Sequence, residues 1–168
     1  MPANWTTWRL LCCAVPELEN EKQAFHAANA RFGERVTLAR RVLFALVSPF
    51  PGYDPRRQGH NVESNIRFCD FFVQLFGEGA AESGYVQFVD LSIACTADPA
   101  FPMRSTVALF RNPQSASPEM SALRRRLIEG GACQVLDFHN MQEFDALADN
   151  ILAGWYAMTQ DQPRPPDS

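Results

Sequence analysis

Lysine is nearly missing from this chain: of 15 basic residues in 168, only Lys22 is lysine and the other fourteen are arginine. Against 19 acidic residues the formal charge is −4. That is the opposite of the basic excess with which nucleic-acid binders neutralise phosphates, so no nucleic-acid partner is expected. Long apolar runs are scarce too. The longest, 10–15 and 42–47, fall far short of the roughly 20 residues that cross a bilayer, and no membrane partner is expected. The stretch ahead of Leu10 has no basic cluster, and Pro16 follows the apolar run without a small-residue cleavage site. No signal peptide is therefore expected, and the chain reads as cytoplasmic.

Cysteine is present but unpatterned. The five thiols, Cys12, Cys13, Cys69, Cys95 and Cys133, make an odd set without a C-x-x-C pair and sit in apolar stretches. They read as reduced core residues rather than a disulfide framework or a zinc site. G-x-G-x-x-G, G-x-x-x-x-G-K-[ST] and G-x-S-x-G are all missing, which removes the usual markers of dinucleotide, P-loop and acyl-transfer chemistry. His26, His60 and His139 fall on different segments, so no metal site is expected.

What is present is alternation. Short β-rich runs at 8–15, 41–48, 71–76, 106–110 and 133–138 are each followed by a stretch of helical period. Five such pairs predict an α/β fold: a single flavodoxin-like, doubly wound domain with a parallel sheet in the order 2-1-3-4-5. The first helix is expected from Pro16, with Glu17, Glu19 and Glu21 at its positive end. Asn61 is the expected N-cap of the second helix, with Val62, Ile66 and Cys69 turned inward. Ser117-Pro118-Glu119 opens the fourth helix and Gly130-Gly131 stops it, with Arg124, Arg125 and Arg126 read as a solvated face near its end. The final helix, from about Met141, carries Phe144, Leu147, Ala148, Ile151, Leu152 and Trp155 at helical spacing. The domain is assigned to 1–158, and the Pro-rich 159–168 to a tail or linker.

In such sheets ligands bind outside the carboxyl ends of the strands. That rule selects the loops 14–17, 48–60, 77–85, 111–117 and 139–141, the second of them unusually long.

Specific strings then carry a resemblance. Pro16-Glu17-Leu18-Glu19-Asn20-Glu21-Lys22-Gln23-Ala24-Phe25 after the opening strand, with Asn65-Ile66-Arg67-Phe68-Cys69-Asp70-Phe71-Phe72-Val73 and Gly77, resembles the TIR-like domains of uncharacterised function at the N-termini of STAND-type NTPases and repeat proteins. The resemblance runs from about Arg9 to Tyr156. It implies a signalling or effector module of prokaryotic defence systems, acting by recognition or self-association with protein partners and attached to another module. Catalytic TIR relatives cleave the glycosidic bond of NAD with an acid on the helix after the third strand, in a pattern resembling E-x-x-x-A. Here the matching string is Asp90-Leu91-Ser92-Ile93-Ala94, so the resemblance implies Asp90 as that acid, with NAD or a nucleoside as substrate and no resident cofactor.

The remaining candidates come from the residues themselves. Glu82, in the loop before the same helix, is a second carboxylate within reach. Asp90 reads equally as a residue on the exposed edge of its helix. Ser48, Asp54, Arg56, Arg57 and His60 are the polar members of the long loop, and the adjacent arginines suit the pyrophosphate of a nucleotide ligand. Tyr85 completes the ligand-binding set. Asp70 precedes the third strand, at the end of the sheet away from ligands, and reads as a cap.

Overall fold

Strands and helices alternate as the hydrophobic period predicts: β1 (Thr6–Ala14), α1 (Glu19–Phe32), β2 (Val42–Leu46), α2 (Gln58–Phe68), β3 (Phe71–Phe76), α3 (Ser83–Ala97), β4 (Ser105–Arg111), α4 (Pro118–Gly130), β5 (Gln134–Phe138) and α5 (Met141–Asp161). The computed structural model describes residues 4–47 and 58–161, with 58–61 described by backbone alone. Every strand pairing is parallel and the order is β2-β1-β3-β4-β5. This is the flavodoxin-like doubly wound sheet.

β3 lies at the centre, and all six of its side chains are buried. A central parallel strand is covered on both faces, which is why Phe-Phe-Val-Gln-Leu-Phe is apolar almost throughout rather than alternating. On one face α1 and α5 pack together. Trp155 of α5 stacks on Phe71 with ring centroids 5.0 Å apart and meets Phe25 of α1 edge-on at 6.0 Å. The opposite face holds α2, α3 and α4. There Ser92 of α3, fully buried, shares a 2.5 Å hydrogen bond with Thr106 of β4, so the hydroxyl costs little in the core.

Helix signals in the sequence are answered locally. Ser117 Oγ accepts from Met120 N–H at 3.2 Å, and Gly131 closes α4 in the left-handed region at φ 69°. The second helix departs from expectation. It starts at Gln58, so Asn61 lies inside α2 rather than capping it, while Val62, Ile66 and Cys69 are buried as expected. Proline 16 opens a 3-10 turn (Pro16–Leu18), with α1 proper beginning at Glu19. At its far end α1 runs on through a π-helical turn (Gly33–Thr37) and a 3-10 turn (Leu38–Arg40). Arg41, at φ 60°, reverses the chain into β2. α5 continues to Asp161, three residues past 158, with Thr159 still buried against the domain.

Among the described residues, no helix is long and apolar enough to cross a membrane.

Candidate functional site

The order 2-1-3 places the switch of winding direction between β1 and β3, and the crevice outside their carboxyl ends is where this fold takes ligands. Val15 N–H extends the β1–β3 ladder to the Leu75 carbonyl at 3.2 Å, which brings the chain after β1 alongside the chain after β3. Glu17 lies over Gly77 so closely that a Cβ built there would stand 2.7 Å from Glu17 Oε1. Glycine at 77 thus leaves room for the exposed Glu17 carboxylate to lie against the backbone after β3.

Glu78 follows and is the hub of the rim. Its carboxylate accepts from Arg111 Nε at 3.1 Å and Arg111 Nη2 at 2.9 Å, and from Asn112 Nδ2 at 2.7 Å. Its carbonyl accepts from Ser117 N–H at 2.8 Å. Arg111, at the end of β4, also lies 3.5 Å from Glu21 in the first turns of α1. The guanidinium holds the Glu78 carboxyl below its usual range, with burial opposing and Asn112 assisting, and Glu78 in turn raises Arg111. Asn112 sits in the left-handed region at φ 47°, a conformation asparagine tolerates better than most residues.

Tyr85, half-buried and edge-on to Phe88, closes the α3 side. Burial raises its phenol, with Glu82, Cys13 and Glu17 adding to the shift. Burial also pushes the Cys13 thiol up to about 12. A thiol held neutral in this way is no nucleophile at physiological pH.

At the β5 end, Asn140 Oδ1 accepts from Glu143 N–H at 2.9 Å, and Glu143 Oε2 accepts from His139 N–H at 2.8 Å. The His139 ring sits between Glu143 and Gln114, 3.0 Å from each.

The structure gathers the sequence candidates only in part. Glu82 is exposed immediately before α3, beside Tyr85. Asp90 lies eight residues further along, about 12 Å down the helix at 1.5 Å per residue. Its side chain is 47% exposed and pairs with Arg126 of α4 at 2.9 Å. Glu82 and Asp90 thus occupy different places, one at the rim and one on the outer α3–α4 face. Ser48, Asp54, Arg56 and Arg57 lie outside the described residues, and His60 is placed in the first turn of α2 by its backbone alone.

Asp70 is buried at the amino end of β3, where its Oδ2 accepts from Arg9 N–H at 2.8 Å, a cap as expected. Arg124 and Arg126 are not simply solvated: Arg124 grips Asp137 of β5 at 2.6 and 2.9 Å, while Arg126 holds Asp90. Glu17, Gly77, Glu78, Arg111 and Asn112 fall in the loops that the carboxyl-end rule selects, yet nothing in their spacing shows which of them meet. Among the described residues no cluster of His, Cys, Asp and Glu has the arrangement to hold a metal ion.

Comparison with protein-family models and with curated proteins finds no match for this chain.

Proposed function

We propose that this domain is a TIR-like recognition module that works by self-association or by binding a protein partner, rather than by turning over a nucleotide. One observation carries the reading: among the described residues, the loops beside the β1–β3 switch set the chain's own carboxylates at the crevice and pair its rim arginine. Glu17 lies on Gly77, and Arg111 is held by Glu78 and Glu21. A phosphate approaching the positive end of α1 meets carboxylates where this fold ordinarily offers free N–H groups. Among the described residues, the arginine at this rim, Arg111, is already paired with Glu78 and Glu21. Asp90 supports a catalytic role poorly, because its carboxylate points to α4 and pairs with Arg126. Glycosidic cleavage needs a carboxylate held against the ribose.

The test is incubation of the purified protein with NAD and with nucleosides, dilute and at high concentration, followed by chromatography for free base. The expected result is no release above buffer, with self-association or partner binding measurable by sedimentation. Release that disappears in Glu82→Ala or Asp90→Ala would overturn this reading in favour of an NAD- or nucleoside-cleaving enzyme.

A further inference from the structure

The central strand carries one side chain whose hydrogen-bonding the packing leaves half answered. Gln74 is fully buried, and its Oε1 has no hydrogen-bond partner. Nε2 donates to the Leu75 carbonyl at 3.2 Å, which fixes the orientation of the amide, since Oε1 turned there would face a second acceptor. Leu75 does not depend on this bond, because its carbonyl also accepts from Val15 N–H at 3.2 Å. A buried acceptor without a donor is destabilising, and in a central strand it calls for an occupant.

Register shows where that acceptor lies. Phe71 faces Trp155, so Gln74, three residues on, faces α2 and α3 instead. Cys13 of β1 and Ala108 of β4 flank it, and both are small. Ser92 of α3 meets Thr106, which pairs with Phe72, so α3 and β3 are level there. From that level Tyr85 stands about 10 Å towards the carboxyl end, at 1.5 Å per helical residue. Gln74 stands about 7 Å in the same direction. Its amide, reaching on to the Leu75 carbonyl, ends just beneath Tyr85.

Two carboxylates border the same mouth. Tyr85 N–H donates to the Glu82 carbonyl at 3.1 Å, and Glu17 lies against Gly77, two residues past Leu75. After burial itself, Glu82, Cys13 and Glu17 are what raise the Tyr85 phenol. Glu17 and Glu82 are exposed, and neither carboxylate has an ion pair among the described residues. Two free carboxylates, an aromatic ring and an unfilled acceptor beneath it complement a cation that carries N–H groups.

We propose that this mouth takes a protonated amine or guanidinium, with Glu17 and Glu82 at its charge, Tyr85 against it and Gln74 Oε1 accepting one of its N–H groups. This goes beyond the recognition reading and does not depend on it. The cation is either a free small ligand or an arginine side chain of a partner, and the site's chemistry is the same for both.

The test is titration of the full chain with methylguanidinium, followed by the side-chain amide resonances of Gln74 and the ring signals of Tyr85 in isotope-labelled protein. Both should shift saturably, and inorganic phosphate should shift neither. Tetramethylammonium, which has the charge but no N–H, should bind roughly tenfold more weakly. Glu17→Gln with Glu82→Gln should weaken methylguanidinium binding about tenfold, the scale of two exposed ion pairs. Gln74→Met should bind the two cations alike, and without ligand its stability in urea should be no lower than that of wild type. A short arginine peptide with blocked ends that competes with methylguanidinium assigns the site to a partner's side chain; one that does not assigns it to a free ligand.

Resonances that methylguanidinium leaves unmoved, or equal binding of the two cations by wild type, would overturn the site. A Gln74→Met variant clearly less stable than wild type would show the amide satisfied inside the fold by an internal water, and would overturn it too. Neither outcome touches the recognition reading, which the NAD incubation tests.

Discussion

The Glu17 carboxylate occupies the space that any side chain at Gly77 would need, 2.7 Å from the position of its Cβ. The relationship joins the first turn after β1 to the first residue after β3. It sets an exposed carboxylate of the chain itself beside the usual ligand crevice of this fold. Gly77→Ala should displace the far end of Glu17 rather than backbone, at a cost under about 1 kcal/mol, because a flexible side chain can swing aside. Adding Glu17→Ala should remove most of that cost. Urea unfolding of the two single variants and the double variant measures the coupling; additive effects would mean the two residues do not meet.

Glu78 should make stability depend on pH. Arg111 and Asn112 hold its folded-state pKa below the ordinary value of 4.5. The contribution is therefore fully present above that value and is lost as pH falls through the lowered folded value. Glu78→Gln should cost about 1 kcal/mol at pH 7, the scale of a partly exposed charge-assisted hydrogen bond. Denaturant melts of variant and wild type should converge as the medium is acidified. A gap that stays constant into strong acid would contradict the assignment.

Trp155 should be among the most costly residues to truncate. It is buried between Phe71 of the central strand and Phe25 of α1. Trp155→Ala should lose about 3–5 kcal/mol through transfer and cavity terms. Thermal unfolding followed by circular dichroism should show a large fall in the midpoint, or no folded state at all.

The two cross-element arginines on α4 should differ. Arg124 grips Asp137 with two hydrogen bonds in a partly buried setting, whereas Arg126 and Asp90 are both about half exposed. Asp90→Ala should stay within about 0.5 kcal/mol of wild type. Both pairs make two hydrogen bonds, at 2.6 and 2.9 Å for Arg124–Asp137 and 2.9 and 3.4 Å for Arg126–Asp90, so Arg124→Ala should cost more than Asp90→Ala because its pair is shorter and less exposed. Equal melting curves for the two variants would show that burial does not separate the pairs.

The alternation of buried β-rich runs with helical periods is enough to read the strand order from the sequence. Hydrophobic period reports which face is buried, and right-handed crossovers leave few ways to connect five such units. β3 is the clearest case, with its bounds legible to the residue at 71–76. Helix starts were legible where a side chain does the capping, as at Ser117, and misread at Asn61, where a good capping residue stands inside a longer helix. The arginines of α4 do form an exposed face at Arg125 and Arg126, but the ion pairs of Arg124 to β5 and Arg126 to α3 were not legible, because they join elements that are distant in sequence.

The same division holds for the site. Sequence alone determined the doubly wound class, the burial of the central strand and which loops stand at the carboxyl end of the sheet, because these follow from local periodicity and chain connectivity. Only the tertiary structure decided that Glu17 fills the space above Gly77, that Arg111 is held by Glu78 and Glu21, and that Asp90 turns to α4. Charges are paired by distance in space, and a sequence carries no measure of distance between loops that meet only when the sheet has formed.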